Sequence, residues 1–150
     1  MARAVSARID DERGFTLIEL LAVILIIGIL AAVALPTFLG HKDRSEDAVA
    51  KSTARVLVTH VESCFATNED YRWCDEQSEL LRLEVDWGNG PGQAMVVDAD
   101  RMSYEIQGVS KSALGGSPHV FTIAKDTSTG VITQTCAPVG FGGCPDSGTW

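Results

Sequence analysis

The polarity pattern changes character twice along the chain. From Phe15 to Leu35 only Thr16 and Glu19 are polar, and Leu20–Leu35 is apolar without a break. A bilayer core takes about 20 apolar residues of helix to cross, so this stretch can span a membrane. From His41 to Ala66 the pattern becomes periodic. Ala50, Ala54, Leu57, Val61 and Cys64/Phe65 recur at spacings of three and four, which places them on one stripe of an amphipathic helix. Lys42, Asp43, Arg44, Glu46 and Asp47 fill the stretch just outside the membrane. A single helix from Phe15 to about Ala66 would be roughly 78 Å long at 1.5 Å per residue. Pro36 removes one backbone hydrogen bond from it, and Gly28 is a second weak point.

Beyond the helix the signals are those of turns and short strands. Asn68–Gly92 is irregular. Asp75–Leu81 carries an N-cap candidate and early acids, so it predicts a short helix, and Trp87–Gly92 reads as a turn-rich connector. Four strand candidates follow, Gln93–Asp98, Met102–Val109, Val120–Lys125 and Val131–Cys136, each short and bounded by Gly, Asp, Ser or Pro. Tight connections between consecutive strands, such as Asp126–Gly130, favour an antiparallel sheet. The expected fold class is α+β: one long N-terminal helix, half transmembrane and half amphipathic, packed on a four-stranded antiparallel sheet. Gly140–Trp150 reads as a glycine-rich tail apart from the loop that Cys144 closes, and Ser110–Ser117 and Ala137–Gly143 read as surface loops.

Glu19 is the residue that demands a function. A carboxylate in such an apolar segment costs at least ~2.5–3.5 kcal/mol. Gly14-Phe15-Thr16-Leu17-Ile18-Glu19, the run Leu20–Leu35 and then Pro36 resemble the amino-terminal signature of type IV pilins and the related pseudopilins. The resemblance implies that a prepilin peptidase cuts after Gly14 and that the new first residue, Phe15, is N-methylated. It divides the chain into a removed leader at 1–14, a transmembrane and filament-core helix at 15–36, and an extracytoplasmic head at 37–150 that includes the second half of the helix.

The chemistry fits that implication. Glycine before the cut lets a protease approach the backbone closely. The freed amine of Phe15 is an ammonium in apolar surroundings and needs a counter-charge, which Glu19 can supply. Glu19 lies one turn from Phe15 and can pair within its own chain. The resemblance implies instead that it pairs with the Phe15 amine of a neighbouring subunit during assembly, and that helix is lost around Gly28 and Pro36 in assembled pili. A secretory signal peptide is the competing reading: Arg3, Arg8 and Arg13 precede the apolar run, and Ala32-Val33-Ala34 offers a cleavage site. Asp10, Asp11 and Glu12 cancel those arginines and Glu19 interrupts the apolar region, which argues against it. A plain single-pass anchor accounts for the apolar run but not for Glu19 or Gly14-Phe15.

The leader is neutral in its side chains, so the net charge of −8 belongs to the rest of the chain. An acidic surface with no run of lysine or arginine disfavours nucleic acid, and no specific nucleic-acid partner is expected. All four cysteines, Cys64, Cys74, Cys136 and Cys144, follow the apolar segment at spacings unlike a zinc or redox motif. They read as two disulfides formed outside the cytoplasm. Three connectivities are open. Cys64–Cys74 with Cys136–Cys144 is preferred because each pair brackets a loop, and the second resembles the loop near the end of many type IV pilins.

No enzyme is read from this chain. His41, His60 and His119 are scattered, His60 at the edge of a helix face, and no nucleophile elbow or phosphate loop occurs. Asp98 and Asp100 stand where calcium could bind, as it does near the carboxy end of relatives in type II secretion. Turn acids are ordinarily just solvated, and neither a metal nor a cofactor is expected. Trp73, Trp87 and Trp150 fit an adhesive surface and a core equally.

The resemblance implies a structural subunit of a type IV pilus, anchored once in the inner membrane and then part of an extracellular filament. Its implied partners are copies of itself, the prepilin peptidase, membrane lipid before assembly, and an assembly platform with its ATPase. The alternatives are a pseudopilin of a type II secretion or DNA-uptake system and a monomeric membrane-anchored binding domain.

Overall fold

The computed structural model describes residues 15–80 and 84–150. One helix, α1 (Leu17–Asn68), is followed by four strands: β1 (Ala94–Ala99), β2 (Tyr104–Val109), β3 (Val120–Lys125) and β4 (Ile132–Ala137). The chain divides into two compact units, one ending at Thr37 and one running Phe38–Trp150.

In the first unit α1 is a bare apolar rod. Its large side chains from Leu17 to Leu35 are all exposed, and its span is long and apolar enough to cross a membrane. Helical assignment runs unbroken through Gly28 and Pro36, so neither residue interrupts the helix in the single chain. Just past Pro36, the Thr37 hydroxyl donates to the Ala34 carbonyl at 2.9 Å.

In the second unit the strands form one antiparallel sheet in the order β1-β2-β3-β4. This is the α+β arrangement the periodicities predict. Ala50, Ala54, Leu57 and Val61 of α1 are buried against Val96, Tyr104, Ile106, Phe121 and Ile123 of the sheet. Burying one aliphatic or aromatic side chain contributes ~1.5–3 kcal/mol, and this seam is the main source of stability in the unit. Gly108 sets how closely sheet and helix approach. A Cβ there would stand 2.5 Å from the Ala50 carbonyl oxygen and 3.2 Å from the Ala54 Cβ.

Three connections differ from expectation. The short helix predicted at 75–81 is a single 3-10 turn, Gln77–Glu79, preceded by another at Tyr71–Trp73 that Asp70 caps through the Arg72 amide; Leu81 lies outside the described residues. Disulfide closure at Cys74 and sparse apolar spacing leave no stripe there for a longer helix to bury. The segment after Gly140 is no free tail: the Cys136 amide donates to the Gly148 carbonyl and the Trp150 indole to the Thr135 carbonyl, both at 2.8 Å. The loop after β2 is anchored at its root, with Ser110 and Ser112 buried and the Ser112 hydroxyl donating to Asp43 at 2.9 Å.

Candidate functional site

Three polar constructions stand out against the apolar background, one at the start of α1 and two in the head. At the start of α1, Glu19 and Thr16 satisfy each other. The Glu19 carboxylate accepts from the Thr16 amide at 2.9 Å and from its hydroxyl at 2.6 Å, while the Thr16 hydroxyl accepts from the Glu19 amide at 3.3 Å. This is a reciprocal capping box, and it answers part of the question of how a carboxylate tolerates an apolar segment. Its sequence signal is Thr-x-x-Glu, Thr16 to Glu19, ahead of an apolar run. Phe15 precedes the box and is exposed. Gly14, the other half of the expected cleavage junction, lies outside the described residues.

The second construction is buried. Asp47 of α1 and His119, just before β3, both have no exposed surface, and His119 Nδ1 lies 2.9 and 2.8 Å from the two Asp47 oxygens. His119 Nε2 donates to the Leu114 carbonyl at 2.6 Å, and the Gly143 amide donates to Asp47 at 2.7 Å. Lys51 Nζ extends the network by donating to the Gly143 carbonyl at 2.6 Å. A Cβ at Gly142 would collide with the Asp47 carboxylate and the His119 ring, so glycine alone fits that approach. The helix, the loop after β2 and the Cys136–Cys144 loop are thereby tied to one carboxylate.

A third polar knot closes the far end of the helix seam. Glu62 accepts from Tyr71 at 2.8 Å, Tyr104 at 3.1 Å and Lys125 at 3.1 Å, and Lys125 also donates to the Tyr71 oxygen at 2.6 Å. Burial raises the Glu62 pKa, but the three donors outweigh it and the net direction is down. Burial lowers the Lys125 pKa, and its bonds to Tyr71 and Glu62 carry it above its ordinary value. Burial, reinforced by Glu62, pushes the Tyr104 phenol well up.

The other residues singled out from sequence fall as follows. Cys64 is joined to Cys74 and Cys136 to Cys144. Trp73 is exposed, whereas Trp87 and Trp150 pack on the core, so the three do not form one adhesive face. His60 is half-buried on the helix flank. Asp100 accepts from the Arg101 amide at 2.8 Å, and among the described residues no three His, Cys, Asp or Glu side chains converge.

An apolar, exposed helix begun by a threonine–glutamate cap and continued into a disulfide-stapled α+β head defines a class of membrane-anchorable helix-and-head proteins. Residues 10–35 match the family described as the prokaryotic N-terminal methylation motif. A fimbrial protein of Pseudomonas aeruginosa is 32% identical over 127 residues, covering 76% of this chain and 79% of that one. The type II secretion system core protein G of Klebsiella michiganensis is 37% identical over 117 residues, 61% of this chain and 82% of the other. The type IV major pilin protein PilA of Myxococcus xanthus is 48% identical over 60 residues, 40% of this chain but only 27% of that longer protein. The chain belongs to the type IV pilin and pseudopilin family.

Proposed function

We propose that the chain is a structural subunit of a type IV pilus filament, cut after Gly14, methylated at Phe15 and polymerised through α1. The observation that carries this reading is the bare apolar first stretch of α1, exposed on every side and begun by Glu19. Such a rod has two suitable surroundings, lipid and other copies of itself. Lipid is as apolar as the helix, so hydrophobicity alone gives little preference for the filament. A pair between Glu19 of an incoming subunit and the Phe15 ammonium of its neighbour supplies that preference and fixes the axial register.

In this reading residues 1–14 are a removed leader, 15–36 the filament core and 37–150 the extracytoplasmic head. Gly28 and Pro36 are where α1 gives up helix on assembly, a change of state from the unbroken helix of the single chain. The protein acts by packing and not as an enzyme. It inserts once in the inner membrane, meets the prepilin peptidase there, and is extracted by an assembly platform driven by its ATPase into a surface filament. The match to a protein G favours one other reading, a pseudopilin whose fibre stays below the surface.

Shearing separates these readings. Sheared surface filaments containing the wild-type chain support the pilus, whereas protein secretion that requires the chain without sheared filaments supports the pseudopilin. Glu19→Val should remain in the membrane and leave the sheared fraction. Normal filaments from that variant would remove Glu19 from assembly.

A further inference from the structure

The head carries opposite charge on two flanks of α1. Arg44, Lys51 and Arg55 recur at spacings of seven and four, which is one stripe of a helix. Lys51 is held by the Gly143 carbonyl, while Arg44 and Arg55 are exposed and neither is in an ion pair among the described residues. The Arg55 guanidinium carbon lies over the Trp150 ring, 4.5 Å from its centroid. Burial pushes the Lys51 ammonium pKa down, Asp47 opposes it, and Arg55 adds a smaller lowering.

Glu46 lies two positions after Arg44, about 200° around the helix, and so on the other flank. There a cleft of about 380 Å³ opens between α1 and the segment before β1. Its charged lining is Glu46, Glu84 and Asp86 against a single cation, Lys111, and its helical wall includes the exposed Val49 and Val56. Three carboxylates beside an apolar wall suit the long apolar stem and charged tip of an arginine.

We propose that this acidic cleft receives the Arg44/Arg55 flank of a second copy of the chain. Because the two surfaces are different and lie on opposite sides of one helix, the contact is head-to-tail, the kind that repeats along a helical fibre when its rotation does not close into a ring. The proposal rests on the filament reading and adds to it a specific lateral contact between heads. Oppositely charged faces also disfavour wrong registers, since like flanks repel.

Charge reversal tests it in cells that assemble the native chain. Glu84→Arg with Asp86→Arg reverses one flank, and Arg44→Glu with Arg55→Glu reverses the other. Each pair should lower the sheared filament yield by about tenfold or more, and all four together should restore it to within about threefold of wild type. Both disulfides and protease resistance of the membrane-held pool report that each variant is folded. Wild-type yields from either single-flank reversal overturn the contact, as does failure of the folded four-fold variant to recover. Absence of the wild-type chain from every fibre overturns the filament reading and this contact with it, whereas charge-insensitive filaments overturn the contact alone.

Discussion

Asp47 stands on the stripe of α1 that faces the sheet, three residues before Ala50, and its burial is made tolerable by His119, Gly143 and the nearby Lys51. Removing the carboxylate leaves the Gly143 amide and one His119 nitrogen without partners. Asp47→Ala should therefore lower stability by about 3 kcal/mol, read from urea unfolding of the detergent-solubilised chain, and a loss under about 0.5 kcal/mol would show the knot to be ornamental. Sequence did not disclose this residue's role. Asp47 sits among Lys42, Asp43, Arg44 and Glu46 and looks like one more solvated charge, while its partners are 72 and 96 residues away. The one available signal was its place on the same three-and-four spacing as the apolar stripe. Glu62 makes a prediction in pH. Its folded pKa is depressed, so its stabilisation is present above the unfolded value of about 4.3 and is lost as pH falls through the folded value. Lys125 and Tyr104 are raised, so their contributions hold below their unfolded values of about 10 and fade as pH rises beyond them. Urea midpoints of Glu62→Gln should be lower than wild type at neutral pH and should change less between about pH 5 and pH 2; parallel curves would contradict the assignment.

At the scale of elements, α1 and the four strands were legible because each obeys one period. The apolar stripe marked the buried face of α1, and β3 occupies the residues that its β-branched pattern marked, while the other strands shift by one or two positions at their ends. What the periods could not show is closure. The residues after Gly140 have turn composition, yet they pair with β4 because the Cys136–Cys144 bridge returns the chain alongside that strand. In the sequence Gly108 is one more residue of a strand, and its meaning depends on where the backbone of Ala50 lies. Gly108→Val should force sheet and helix apart and lower stability by about 1–3 kcal/mol, a shift visible in the thermal unfolding midpoint. An unchanged midpoint would mean that the seam can relax more freely than close packing allows. The end of α1 offers a gain in the other direction. Glu69 takes the left-handed conformation, with φ of 55°, where a side chain is strained and glycine is not. Glu69→Gly should raise stability by about 0.5–1 kcal/mol, and a lower midpoint would count against that strain.

For the molecule as a whole, the two units answer to different surroundings. The head from Phe38 onward carries its own core, two disulfides and two polar knots, and is suited to an oxidising aqueous space. Among the described residues, the unit ending at Thr37 buries no core of its own, so its stable state is defined by what covers it. Membership of the pilin and pseudopilin family and the filament proposal meet at that point: lipid covers the helix first and other copies cover it afterwards. The central claim is that this transfer is prepared by cleavage at Gly14 and methylation at Phe15. The most direct measurement is intact mass with amino-terminal sequencing of the chain recovered from membrane and sheared surface fractions. The account predicts a chain that begins with N-methylated Phe15, lighter by the hydrogens lost to both disulfides, and present in the surface fraction. A chain that begins at Leu35, or that still begins at Met1 in every fraction, would contradict it.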